Sequence, residues 1–223
     1  MFPAELTYRI YVYGEFAGEE VIKISETEDV LLFNSHSQLT FEEFSLDLHT
    51  RTEVSRDDFS PRYFSYEGIR AGQKVSGTIS FDGDSISGDF QVEDAAFPSG
   101  KKLAGRKLIF ENYIIEHQLL LLNAAAESDE LINRVQLFFP VDFTSASCAS
   151  LIESEVEIDT VPRRVCTKYR FTIASGSTFY GYLDAKRKLA VYMDFPDTNT
   201  EVFLKGAFAD EPLTKYTRPE SSP

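Results

Sequence analysis

The chain has 223 residues, 43% of them hydrophobic, which is enough apolar material to bury a sizeable core in a single large domain. With 36 acidic against 22 basic side chains the formal charge is −14, and this excludes sequence-independent binding to nucleic acid, whose affinity rests on neutralising phosphates with Lys and Arg. Anionic membrane surfaces are poor partners for the same reason, and the plain reading of the charge is solubility. No stretch approaches the roughly 18 consecutive apolar residues that a spanning helix needs. The opening MFPAELTYRIY has no basic region followed by an apolar core, so no secretory leader is read. The expectation is therefore a cytoplasmic protein, or one of the periplasm or cell envelope if a leader has been removed.

Nineteen Phe and eleven Tyr, with no Trp and two Met, suit strands, because flat rings and β-branched side chains pack well on a pleated surface. In LTYRIYVYG, Leu6, Tyr8, Ile10 and Val12 alternate with Thr7, Arg9, Tyr11 and Tyr13, the period-two signature of a strand with two different faces. EEVIKISETEDVLLFNSHS reads as two strands turning at Glu28 and Asp29. LTFEEFSLDLHTRTEVS offers Phe44, Leu46 and Leu48 on one face and Glu43 and Asp47 on the other.

QKVSGTISFDGDSISGDFQVE is the clearest hairpin, with Asp82-Gly83 at the reversal, where Gly supplies the positive φ that a tight turn needs. Gly77 and Gly88 fall where the apolar register calls for side chains. That symmetry suggests a bend or bulge, the alternative being something bulky lying across both strands. PSGKKLAGRK, 98 to 107, reads as a basic loop leading into a helix. Beyond the helix come INRVQLFFPVDF, SEVEID, RVCTKYRFTIA, STFYGYLDA, KLAVYMDF and EVFLKGAF, joined by connections too short for parallel crossovers. One β-rich domain over 1–211 and a polar, Pro-containing, disordered tail over 212–223 are expected.

The helix is IIEHQLLLLNAAAE, residues 114–127. At about 100° per residue, Asn112, Glu116, Asn123 and Glu127 form a polar stripe, opposite Ile114, Gln118, Leu121, Leu122 and Ala125. Leu120 falls inside the polar stripe and Leu119 on its rim, so the helix is apolar over more of its circumference than a surface helix requires. Its outer side needs cover from a loop, a partner or a ligand. Gln118, in the middle of the buried face, needs hydrogen-bond partners of its own.

No reaction is written in the remaining residues. The three histidines, His36, His49 and His117, are read as surface or packing residues; His117 and Glu116 are neighbours on the helix and point too far apart to work on one atom. No nucleophile elbow, phosphate-cradling loop or metal-type histidine pair is present. FDGDSISGD has acidic spacing that faintly resembles a calcium loop but reads better as a hairpin turn. A glycosidase would need two carboxyls facing across a cleft, and there is no Trp to stack on a sugar ring. Cys148 and Cys166 fit a disulfide and two buried free thiols equally well. No catalytic residue, metal ligand or cofactor is expected.

YRIYVYG at 8–14 followed by FAGE, then FSPRYFSYEG at 59–68 and FYGYLDAKRKLAV at 179–191, resembles a bacterial domain-of-unknown-function family sharing the half-open β-barrel of the lipoprotein-carrier (LolA-like) proteins. The chain departs from that pattern at Ala190, where Pro is expected. The resemblance implies a mainly β fold, a single strongly curved antiparallel sheet with one central helix packed on an aromatic-lined concave face. It also implies a non-enzymatic role, holding a lipid or acyl chain in the bacterial cell envelope. The residues then expected to bind the ligand are Ile115, Gln118, Leu119 and Leu122 of the helix and Phe171, Tyr180 and Tyr192 of the strands.

The alternative is a structural or protein-interaction module whose apolar helix is the interface, a homodimer through Leu119 and Leu120 included; an enzyme acting on a small apolar molecule is a third. A ligand role predicts a cavity between helix and sheet. An interaction role predicts a packed interior and an exposed apolar patch of several hundred Å².

Overall fold

The computed structural model describes residues 2–127, 135–184, 186–208 and 214–216. Eight strands come first: β1 (Glu5–Val12), β2 (Glu15–Glu26), β3 (Val30–Phe41), β4 (Phe44–Ser55), β5 (Pro61–Arg70), β6 (Gln73–Asp82), β7 (Ser85–Val92) and β8 (Ala95–Lys102). A short β9 (Lys107–Ile109) leads to the helix α1 (Ile115–Glu127). The chain then returns through β10 (Val135–Phe139), β11 (Thr144–Ile158), β12 (Arg164–Ile173), β13 (Thr178–Asp184), β14 (Leu189–Phe195) and β15 (Thr200–Leu204).

All fifteen strands belong to one sheet, in the order β8-β7-β6-β5-β4-β3-β2-β1-β15-β14-β13-β12-β11-β10-β9. Two meanders are thus sewn together by the long-range pair β1–β15, where Tyr8 faces Leu204 and Val12 faces Thr200. Every pair is antiparallel except β9–β10, which is parallel because α1 lies between those strands as a crossover. Register shifts at Ile10/Tyr11, Glu53/Val54, Ile152/Ser154 and Tyr182/Leu183 are bulges of the kind that bend a sheet and strengthen its twist.

The sheet does not close on itself; its ends overlap. β9 is buried along its length, the Lys107 ammonium donates to the Gly83 carbonyl at 2.8 Å, and the Phe138 ring meets Phe81 edge-on at 5.5 Å. One end of the sheet is therefore tucked inside the other. The outer edge is β8, where Pro98 is tolerated because an edge strand has no second neighbour and so does not need the N–H that Pro lacks. The stretch expected as a loop at 98–107 is thus mostly strand, in β8 and β9.

Gly77 and Gly88 sit in β6–β7 pairing that runs without a shift, so the expected bulge is absent. The reason for the glycines is room for rings: Tyr66 lies over Gly77, and Phe90 and Phe143 lie over Gly88, where a Cβ would collide with them.

α1 is rich in Leu and Ala, both strong helix formers, and fills the concave side, nearest β13 and β14. Every helical residue through Ala125 is buried, Glu116 and Asn123 of the expected polar stripe included, while Asn112 and Glu127 are exposed. Leu119 and Leu120 are 0% and 1% exposed, so they offer nothing to a second copy, and the expected homodimer contact is corrected. The sheet itself supplies the outer cover that the helix needed.

Of the C-terminal segment, Thr214–Tyr216 lie against the outer face: the Lys215 N–H donates to Glu201 Oε2 at 2.8 Å and the Tyr216 hydroxyl to Asp194 Oδ1 at 2.7 Å. The rest of the tail expected from 212 onward falls outside the described residues.

Candidate functional site

Polar side chains occupy the apolar parity of three neighbouring strands. On β2, Glu20 shares a face with Ile22 and Ile24; on β3, Ser35 and Ser37 lie between Phe33 and Leu39; on β4, Thr50 and Thr52 lie between Leu48 and Val54. Pairing places Glu20 opposite Ser37 and Ser35 opposite Thr50. A polar seam therefore crosses the concave face at the N-terminus of α1.

Glu20 caps that helix from 95 residues away in sequence: Oε2 accepts the Ile115 N–H at 2.9 Å, and Oε1 accepts the Glu116 N–H at 3.0 Å. Two donors that a helix start leaves orphaned are thereby satisfied, with the carboxylate at the positive end of the dipole. Ser37 adds a third donor at 2.6 Å. Glu116 Oε1 in turn accepts from Thr50 at 3.0 Å and from Thr52 at 2.5 Å.

A hydroxyl has one proton to give. Thr50 gives its proton to Glu116, so the 2.6 Å contact with Ser35 is donated by Ser35. Thr52 is likewise committed to Glu116, so at 3.3 Å it accepts from His117 Nε2. That fixes a neutral His117 protonated on Nε2, and it accounts for the bare Nδ1, which has no partner among the described residues.

Glu20, Ser37, Thr52, Glu116 and His117 are all 0% exposed. Burial, reinforced by the facing Glu116, pushes the Glu20 carboxyl up to about 8. Burial raises Glu116 as well and drops His117 to about 3. All three hydrogen bonds to Glu20 are donated to it, which places the one tolerable negative charge there and the proton on Glu116. With no access for a substrate, the seam is an anchor for the helix.

A ligand-sized space lies elsewhere. Between the concave face of β4–β8 and the β10–β11 turn is a cavity of about 440 Å³. Its walls are Leu48, Tyr66, Val75, Phe90, Val92 and Phe143, with Arg70 and Asp142 among its polar members. Arg70 is half-buried, and its side chain makes no hydrogen bond or ion pair among the described residues, although its charge acts on Glu111 and Tyr66.

The seven residues expected to bind ligand are not gathered there. Ile115 lines a separate space of about 130 Å³ with Phe179 and Phe195. Gln118 is fully buried and donates to the Glu111 carbonyl at 2.8 Å, while its Oε1 has no partner among the described residues. Leu119, Leu122 and Phe171 are 0% exposed core residues, with Phe171 stacked on Phe179 at 4.7 Å. Tyr180 and Tyr192 alternate with inward-facing neighbours and lie on the outer face, Tyr180 beneath the Lys168 ammonium and Tyr192 donating to Glu201 at 2.6 Å. Cys148 and Cys166 are buried free thiols, held apart by pairing that sets them opposite Ile173 and Val156, and burial raises them to about 12 and about 11.

The seam and cavity residues eluded sequence reasoning because each reads as an ordinary polar or aromatic strand position. The usable signal was polar residues in the apolar parity of three successive strands.

The fold and its interior space define a half-open, β-barrel-like protein built around a single internal helix. The chain is similar to the crystal structure of a β-barrel-like protein of the domain of unknown function DUF1849 from Brucella abortus, with a TM-score of 0.58 and 11% identity over 90% of this chain and 94% of that one. At that identity the likeness is one of fold. No protein-family model and no curated protein matches the chain.

Proposed function

We propose that this protein is a non-enzymatic binder of a hydrophobic molecule, an acyl chain with an anionic head. The observation that carries the proposal is the concave-face cavity, whose 440 Å³ falls within the about 300–1,000 Å³ of small-molecule sites. Its apolar walls suit a hydrocarbon, and the guanidinium of Arg70, whose charge reaches Glu111 but is not paired with it directly, suits a carboxylate or phosphate. The ligand seat is thus moved from the helix to β4–β8. The resemblance to the lipoprotein-carrier barrels supports a role at the bacterial cell envelope.

Fluorescence titration of delipidated protein with a polyene fatty acid tests this. One saturable site is expected, abolished by Val75→Trp, which fills the cavity, and weakened by Arg70→Gln for the acid but not for the matching alcohol. Absence of saturable binding, or equal binding by Val75→Trp, overturns the proposal.

The interaction-module reading has its own footing, away from the helix. Leu151 and Ile152 on β11 and Val165 on β12 are 51%, 47% and 62% exposed, and among the described residues β11 has a neighbour on one side only beyond Cys148. Unpaired apolar edges of this kind favour strand addition.

A further inference from the structure

The outer face of β2–β8 carries a wide groove of about 970 Å³, lined by polar side chains that include Lys23, Arg51, Tyr63 and Glu67, and by His36 and His49. It lies on the other side of the sheet from the acyl cavity. His36 on β3 and His49 on β4 are direct partners in the antiparallel register, and their rings stack with centroids 4.0 Å apart and planes 12° apart. Asp47, two residues from His49 on the same face, holds His36 Nε2 at 2.7 Å through Oδ1 and accepts from Gln38 at 3.4 Å. One ligand atom from each of His36, Asp47 and His49 falls within 4.8 Å of the others.

We propose that His36, Asp47 and His49 form a three-ligand site for a divalent transition metal of the zinc class, set at the margin of the outer groove. Two imidazoles and one carboxylate form a borderline donor set, which favours Zn²⁺, Ni²⁺ or Cu²⁺ over Mg²⁺ and Ca²⁺. With metal–ligand bonds of about 2.0–2.2 Å, tetrahedral donors stand about 3.4 Å apart. The His36–Asp47 contact opens by some tenths of an ångström to admit the ion, while the wider separations close by rotation of side chains.

These rotations meet little resistance, because His49 and Asp47 are exposed and His36 is half-buried. The backbone beneath them is rigid: β3 and β4 pair without a shift from Val30↔Ser55 to Phe41↔Phe44. Three protein ligands leave the remaining coordination positions to water or to a donor in the groove, the open arrangement that distinguishes working zinc sites from structural ones.

The competing donors are few. The third histidine, His117, is 0% exposed, and both thiols are buried. Calorimetric titration of untagged protein with Zn²⁺ tests the site, alongside the double variant His36→Ala/His49→Ala, Asp47→Asn and Mg²⁺. One Zn²⁺ per chain is expected, with affinity reduced at least tenfold in Asp47→Asn and lost in the double variant, whose melting temperature stays at the wild-type value. The Co²⁺ adduct should show d–d absorption without a thiolate charge-transfer band.

No saturable Zn²⁺ binding, equal binding by the double variant, a thiolate band, or one ion bridging two chains each overturns the assignment. None of these outcomes bears on the fatty-acid titration, which reads the opposite face.

Discussion

The two ends of the helix seat are held by opposite means. At the N-terminus, α1 is met by hydroxyls and carboxyls from β2, β3 and β4, each placed to make a hydrogen bond. Nearer the C-terminus it is met by apolar surface, and Leu122 packs so close to β13 that only a glycine fits at 181. The contrast teaches a division of labour. Non-directional burial supplies most of the stabilisation, whereas directional hydrogen bonds fix where along the sheet the helix begins. A leucine tolerates a small slide of the helix; the paired N–H groups of Ile115 and Glu116 on one carboxylate do not.

The apolar end should break most severely. Leu122→Ala is expected to lower the unfolding free energy by about 2–5 kcal/mol, the transfer term plus the cavity left behind. Gly181→Val puts a side chain into the space Leu122 occupies and should cost a comparable amount by overpacking and forced shifts. The pair is diagnostic: combining Gly181→Ala with Leu122→Ala should recover part of the loss, because the new methyl enters the vacated space. Urea unfolding of the singles and the double measures this, and strict additivity would deny the close approach.

At the polar end, Glu20→Ala should cost less than the worst core change and still be large, since the two helix N–H groups and the Ser37 hydroxyl lose their acceptor at about 1–3 kcal/mol for an unsatisfied buried group. Glu20→Gln keeps one acceptor oxygen and should lose less. Amide hydrogen exchange at Ile115 and Glu116 reads the cap directly: faster exchange there with the rest of the helix protected is the expected result. Uniform loosening of α1 would instead make Glu20 a general core residue rather than a cap.

Much of the frame was legible in the chain. The alternation in LTYRIYVYG, the reversal at Asp82-Gly83 and the leucine-rich helix each follow from local patterning, and each stands in the structure as a strand, a turn and the single helix. Pairing across distance was not legible. Glu20 and Glu116 belong to elements that meet only because β1 pairs with β15 and curls the sheet round the helix, so a local reading assigns Glu116 to a solvent stripe. The glycines at 77 and 88 were seen as anomalies, but their cause lies partly in Phe143, far along the chain. The position of the interior space was not legible for a related reason: excess apolar surface on the helix marked complete enclosure, while the larger cavity formed against β4–β8 near the β10–β11 turn. His36 and His49 were recoverable, since a two-residue turn at Glu42-Glu43 brings those positions opposite one another.

The smallest effect expected is also the sharpest test of the polar end, because it depends on pH. Burial raises both carboxyls of the Glu20–Glu116 pair, Glu20 from its ordinary 4.5 to about 8, so between those values the folded pair holds a proton that the unfolded chain has given up, and the pair's contribution to stability falls as pH rises through that window. His117 acts in the opposite sense: lowered from 6.5 to about 3, it is neutral in the fold where the unfolded chain takes up a proton, so stability is lost as pH falls from 6.5 towards 3. Glu116→Gln is nearly isosteric with the protonated acid, keeps an acceptor for Thr50 and Thr52, and removes the need for the buried pair to hold a proton that the unfolded chain has released. Its melting temperature should match the wild type near pH 5 and exceed it increasingly towards pH 8, while the acid limb due to His117 stays in place. Were the two proteins to keep parallel melting curves from pH 5 to pH 8, the two buried carboxyls would not be sharing one charge, and the seam would be an ordinary hydrogen-bonded patch, different in composition from the apolar end but not in kind.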